Sequence, residues 1–157
     1  MAKRTSPQRI EMLQGMAAFR GCTRKELEYI DGLGSSLRVR EGTVLTRQGT
    51  RGRQCALVEE GSVVVVRDHQ VIGVVGPGDW VGELALLDQR SCTATTVALG
   101  EARVIVFTPG EFLAMRNEVP AVDANICRQA AERRADLDRL ADEPAAARAF
   151  RVLLAAG

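Results

Sequence analysis

Between Leu37 and Phe107 the chain is a succession of short β-branched words separated by glycine: LRVREG, TVLTRQG, QCALVEEG, VVVVRD, VIGVVGPG, TATTVALG and ARVIVF. Runs this short, rich in valine and nearly always closed by a turn former, predict about six to eight strands, which at this spacing fold as an antiparallel barrel or jelly roll. None of the runs is long enough to span a bilayer, so no membrane insertion is expected. The single histidine, His69, stands in the polar interval of VVVVRDHQVIGVV. With β-branched runs on both sides it reads as a hairpin-turn residue, not a metal ligand or general base.

Helical periodicity brackets the strands. Upstream, PQRIEMLQGMAAF sets Ile10, Leu13, Met16 and Ala17 at three- and four-residue spacing, and CTRKELEYI offers Thr23 as an N-cap with Glu26 three residues on. Downstream, TPGEFLAMRN and VPAVDANICRQAAERRADLDRLADE are again helical, with Val122, Ile126, Ala130, Leu137 and Leu140 on one face. The expected fold is mainly β with flanking helices: an antiparallel β-roll, jelly-roll-like in the manner of a double-stranded β-helix, with N-terminal helices and a long C-terminal one. The 157 residues divide into a basic tail and helix (1–18), the roll (19–118), a lid helix (119–142) and a short amphipathic tail (143–157). A chain of this length buries a core without disulfides or a structural metal.

Lysine and arginine number 21 against 20 acidic residues, a formal net charge of +1, so the overall charge gives no reason to expect nucleic acid or an anionic membrane. The N-terminal MAKRTSPQR is basic but leads into an amphipathic segment, unlike a secretory signal. A cytoplasmic location is the expectation. Cys22, Cys55, Cys92 and Cys127 include no C-x-x-C pair, and with one histidine they do not complete a zinc site. Nucleophile elbow, Walker loop and Rossmann glycine fingerprint are also missing. The chain therefore reads as a binding module, not an enzyme, with reduced thiols, no metal and no cofactor.

One stretch breaks the strand rhythm. GPGDWVGELALLDQ is a turn of good helix formers approached through Gly78 and Gly82, and the first amides of a helix attract anions because they have no intrahelical partner. In its setting this stretch resembles the phosphate-binding cassette of the cyclic nucleotide-binding domain family, the type of the cAMP receptor protein and the protein kinase A regulatory subunit. The resemblance covers roughly Phe19 to Leu140. The family's cassette runs F-G-E-x-A-L-L, a few loop residues, then R-[ST]-A-[ST]; here it reads VGELALL, DQRS and CTAT.

The resemblance implies that Glu83 accepts a hydrogen bond from a ribose 2′-hydroxyl and that the amides of Gly82, Leu84 and Ala85 meet a cyclic phosphate. It implies cyclic AMP or cyclic GMP as ligand, cyclic AMP first, with Thr93 at a hydroxyl position that some relatives use for guanine. The second half departs from the pattern: Cys92 stands where the family carries its phosphate-pairing arginine. Arg90 lies two residues earlier, and two residues along an extended strand return a side chain to the same face, displaced by about 6.5 Å. Arg90 is thus the candidate to replace the missing cation; the alternative is an exposed ion pair with Asp88. Without an arginine the affinity falls roughly 10- to 150-fold.

Trp80 reads as a core residue with its indole N–H satisfied, in preference to a base-stacking platform. Arg128, Arg133 and Arg134 read as solvated charges paired with Glu132, Asp136 and Asp138 at helical spacing. Two functional readings stay open. One is a stand-alone bacterial sensor of cyclic nucleotide whose lid helix moves on binding and signals to a partner protein. The other is a nucleotide-independent interaction subunit with a degenerate pocket, for which Cys92 supplies the motive. A protein partner or a second copy is expected at the C-terminal helices, where PAAARAFRVLLAAG gathers Phe150, Leu153 and Leu154. Many relatives read DNA through a helix-turn-helix after the long helix. Only EPAAARAFRVLLAAG follows Asp142 here, so direct DNA binding is not expected.

Overall fold

Ser6 opens the described chain, residues 6–142 of a computed structural model. Its Oγ accepts the Arg9 amide at 3.2 Å and caps α1 (Pro7–Gln14), while Pro7 sits in the first turn, where a missing N–H goes unnoticed. The helix stops at Gly15, and a 3₁₀ turn over Ala17–Phe19 follows. That break turns Ala18 inward and leaves Ala17, expected on the apolar face, exposed. α2 (Arg24–Leu33) begins at the predicted capping box: the Glu26 amide donates to Thr23 Oγ1 at 3.1 Å and the Thr23 amide to Glu26 Oε1 at 2.9 Å.

The described residues then form β1 (Ser35–Val39), β2 (Val44–Thr46), β3 (Cys55–Glu60), β4 (Val63–Arg67), β5 (Gln70–Val75), β6 (Trp80–Val81), β7 (Thr95–Ala98) and β8 (Ala102–Phe107). A short helix α3 (Glu83–Asp88) separates β6 from β7, and α4 (Pro109–Glu118) and α5 (Pro120–Ala141) come last. The strands pair antiparallel in two sheets of four, ordered β1-β8-β3-β6 and β2-β7-β4-β5. This is the jelly-roll arrangement that the glycine-cut words predicted. Val58, Val81 and Val104 of the first sheet meet Val63 of the second to fill the roll. Between β4 and β5, Asp68 and His69 both adopt positive φ, 51° and 63°, the backbone of a tight hairpin turn. His69 is the turn residue it was expected to be.

A second core joins helices to sheet. Ile10 and Leu13 of α1, Phe112 and Met115 of α4, and Val122 and Ile126 of α5 pack with Leu57 and Phe107. α1 therefore shares the core of the roll. Asn125 then fixes the course of α5: its Nδ2 donates to the carbonyls of Ala18 and Arg20 at 3.1 and 2.9 Å. From that anchor α5 crosses the second sheet, where Ala130 and Leu137 pack with Val65, Ile72, Leu84 and Ala94. Four of the five residues expected on its apolar face are thus buried; the side chain of Leu140, like Phe150, Leu153 and Leu154, lies outside the described residues. No helix among the described residues is long and apolar enough to cross a membrane.

Candidate functional site

Gly82 makes the turn from β6 into α3 with φ +80°, and a Cβ there would stand 2.9 Å from the Gln54 carbonyl oxygen and 3.2 Å from Thr46 Cγ2. Left-handed backbone and close approach both require glycine. The turn lets α3 start at once on Glu83, whose side chain is only 4% exposed. At the other end Gln89 is left-handed (φ 52°) and the Arg90 amide returns to the Ala85 carbonyl at 3.1 Å. The two-residue strand β6 escaped the sequence reading because so short a strand carries no periodicity.

Two voids meet at Glu83. The smaller, a cradle of about 20 Å³, lies against Gly82, Glu83, Leu84, Ala85, Cys92 and Thr93, with Thr46, Thr96 and Arg133 completing its wall. The larger, about 300 Å³, lies between the β4–β5 hairpin and α5 and is walled by Val65, Ile72, Val75, Trp80 and Leu137. That is the size at which small-molecule pockets begin, whereas the cradle holds little more than one water. Three buried polar atoms have no hydrogen-bond partner among the described residues: Trp80 Nε1, Glu83 Oε2 and Gln129 Oε1. All three residues line the larger cavity. One donor and two acceptors thus stand unpartnered in residues of one cavity wall, and unsatisfied polar groups cost free energy.

Arg133 divides the two voids, lining both. Its Nη1 lies 3.2 Å from Glu83 Oε1 and also donates to the Trp80 carbonyl. The next residue, Arg134, holds Asp88 at 2.6 Å, so α5 grips α3 at its first and last residues. Neither arginine makes the expected pairing within its own helix. Arg128 turns to Asn125 Oδ1, and Asp136 is taken by Arg139. The reason is face: Arg133 is three residues from Ala130 and four from Leu137, on the apolar side that looks into the roll. That spacing was visible in the sequence and would have found Arg133. Thr46 and Thr96, hydrogen-bonded to each other at 2.8 Å, come from strands remote in sequence and left no such signal.

Of the residues singled out beforehand, Gly82, Glu83, Leu84, Ala85, Cys92 and Thr93 come together on the cradle. Arg90 does not. It is exposed, does not line the cradle, and faces a separate recess that Arg51, Arg53 and Arg116 also line. Arg90 lies in the bend that ends α3, its amide tied back to Ala85, and β7 begins only at Thr95, so the same-face argument, which assumed an extended strand from Arg90 to Cys92, fails. The alternative pairing fails too, since Asp88 belongs to Arg134. Trp80 is a core residue, 3% exposed and against Phe107 and Phe112 with ring centroids 5.8 and 5.9 Å away; its indole N–H, expected to be satisfied, is buried without a partner among the described residues.

Cys55 lies directly behind Gly82, and burial pushes its thiol well above the ordinary range, with the Glu83 and Glu111 charges adding to the effect. Burial and the Glu26 charge likewise push Cys22 up to about 11. All four cysteines are unpaired.

The chain is similar in sequence and fold to known proteins. The model of the cyclic nucleotide-binding domain family matches residues 36–118. The chain is 26% identical over 151 residues to the cyclic AMP receptor protein of Thermus thermophilus, an alignment covering 90% of this chain and 70% of that protein. The crystal structure of the catabolite activator protein of the same organism superposes with a TM-score of 0.72 at 25% identity, over 80% of this chain and 62% of that one. The regulatory subunit of a cAMP-independent protein kinase A from Trypanosoma brucei, in a triple mutant bound to cAMP in the A site, matches at TM-score 0.65 and 25% identity, over 86% of this chain and 46% of that one. One of the three changes in that mutant is threonine to arginine. In both solved structures the chain spans less than two thirds of the other molecule.

Proposed function

We propose, from the premise that the chain belongs to the cyclic nucleotide-binding domain family, that it is a regulatory module which binds a cyclic nucleotide across the two voids and signals through α5. Glu83 Oε2 accepts the ribose 2′-hydroxyl, the amides of Gly82, Leu84 and Ala85 approach the cyclic phosphate, and the base lies in the larger cavity beneath α5. The observation that carries this reading is the buried Glu83 carboxylate with one oxygen unpartnered at the junction of the voids. Cyclic AMP is the first ligand to test, since the receptor protein above is named for it and the mutant of the cAMP-independent kinase is bound to it.

The described conformation is closed to such a ligand. A cradle of about 20 Å³ does not admit a cyclic phosphate, and Arg133 occupies the other oxygen of Glu83. Binding therefore requires Arg133 to shift, and Arg134 on Asp88 shifts with it. The signal is the displacement of α5 from α3, a population shift driven by whatever the ligand gains in the open state. The ligand is sensed by the same helix that leads to the C-terminal segment, where a protein partner would read it.

A second reading is favoured by the closed cradle and by Cys92: a nucleotide-independent interaction subunit, with Arg133 as a permanent plug. Melting temperatures measured against increasing cyclic AMP and cyclic GMP separate the two. Sensing requires a rise that tracks concentration as linkage dictates; a constant melting temperature up to millimolar nucleotide leaves the interaction subunit standing.

A further inference from the structure

We infer that the cation lost at Cys92 is supplied from elsewhere in the chain, by Arg51 and Arg53 of the loop joining β2 to β3, which contact the phosphate of the bound cyclic nucleotide. The inference rests on the nucleotide-binding reading above and names the residues that make it work.

The loop is built onto the cassette. The Gly49 amide donates to the Cys92 carbonyl at 2.9 Å, the Cys92 amide to the Thr50 carbonyl at 2.8 Å, and Arg51 forms an isolated antiparallel bridge with Ser91. Gly52 lies so close to α3 that a Cβ on it would fall 2.7 Å from Ala85 Cβ. Its two neighbours, Arg51 and Arg53, are thereby held at the start of α3. Neither lines the cradle itself, but both line a recess of about 480 Å³ that shares Thr46 and Cys92 with it, a recess that Arg90 does not line. A single cysteine side chain, small where the family has a long one, is shared by the two spaces.

Charge makes the same case. Arg51 and Arg53 are exposed and have no acidic partner among the described residues, whereas Arg9, Arg116, Arg133 and Arg134 each hold a carboxylate. With Arg47 they line one recess whose wall holds no acidic side chain, a setting that favours an anion. α3 is too short for its amides to define a site alone. The independent sign of a ligand is Glu83 Oε2, buried and unpartnered on the same cradle.

The test is calorimetric titration of the wild-type protein and the Arg51→Gln, Arg53→Gln double variant with cyclic AMP and with adenosine, which keeps sugar and base but lacks phosphate. Arg40→Gln, at an exposed arginine of the β1–β2 connection, controls for general charge loss. The double variant is expected to bind cyclic AMP about tenfold or more weakly, adenosine within twofold of wild type, and to melt at the wild-type temperature. If the double variant does not fold, the two single variants are read instead, each about threefold weaker for cyclic AMP. Wild-type binding of cyclic AMP with no loss in the variants overturns the assignment and leaves the proposed function intact. An equal loss for adenosine also overturns it, as an effect on loop shape. If the wild-type protein binds no cyclic nucleotide, both fall together.

Discussion

Among the described residues, glutamate is buried in two places, with opposite outcomes. At the base of the roll, Arg9 of α1 reaches between Asp31 of α2 and Glu59 of β3: its Nε and Nη2 donate to Asp31 Oδ1 at 2.9 and 2.7 Å, and its Nη2 to Glu59 Oε1 at 2.8 Å. Ser36 Oγ adds a further bond to Glu59 at 3.2 Å, and each carboxylate side chain is less than 5% exposed. At the cradle, Glu83 is just as buried but has one arginine contact and one bare oxygen. Saturated, a buried charge cluster is a staple between helix and sheet. Half satisfied, it is a place prepared for something else.

Removing the arginine from each cluster tests this contrast most strongly. Arg9→Ala strands two buried carboxylates and is expected to lower unfolding stability in urea by about 3–5 kcal/mol. Arg133→Ala strands one carboxylate beside a cavity that water enters, and its expected cost is about 1–3 kcal/mol. Equal losses would erase the distinction between staple and site.

Cys92→Arg has the next largest effect. Restoring an arginine at the cradle is expected to tighten cyclic AMP about tenfold, by calorimetry. The cAMP-bound kinase mutant carrying a new arginine is the motive. An unchanged dissociation constant would mean that the loop arginines already fill the role or that closure of α5 sets the affinity. Smaller again is the effect of Arg133→Ala on binding: with the plug gone, more of the protein is competent, and cyclic AMP is expected to bind roughly threefold to tenfold tighter. Weaker binding would show that Arg133 holds the ligand instead of excluding it. At the bottom of the scale, Arg90→Ala should leave affinity and melting temperature unchanged, within about 0.5 kcal/mol. A loss of affinity would return Arg90 to the site.

What could be read beforehand follows from locality. The strands other than β6, the capping box at Thr23, the hairpin turn at His69 and the α5 face of Val122, Ile126, Ala130 and Leu137 are encoded within a few residues each, and these were legible. The run from Gly82 to Ala85 was singled out through the resemblance to a family cassette, and it lines the cradle with Cys92 and Thr93. The wall opposite was legible only in part. Thr46 and Thr96 reach the cradle from strands far apart in the chain, and nothing local announces their meeting; only Arg133 is marked in the sequence, by its three- and four-residue spacing from Ala130 and Leu137. Arg90 failed for a related reason: proximity in sequence stood in for proximity in space until the end of α3 turned the chain away.

The central claim is that the free oxygen of Glu83 awaits a sugar hydroxyl, and the measurement that meets it most directly is calorimetric titration with cyclic AMP and its 2′-deoxy analogue, on wild type and Glu83→Gln. The account predicts saturation by cyclic AMP below millimolar, binding of the deoxy analogue weaker by about fivefold to tenfold, and a much smaller difference between the two ligands in the variant. No heat from either nucleotide, or one dissociation constant for both in the wild-type protein, would contradict it.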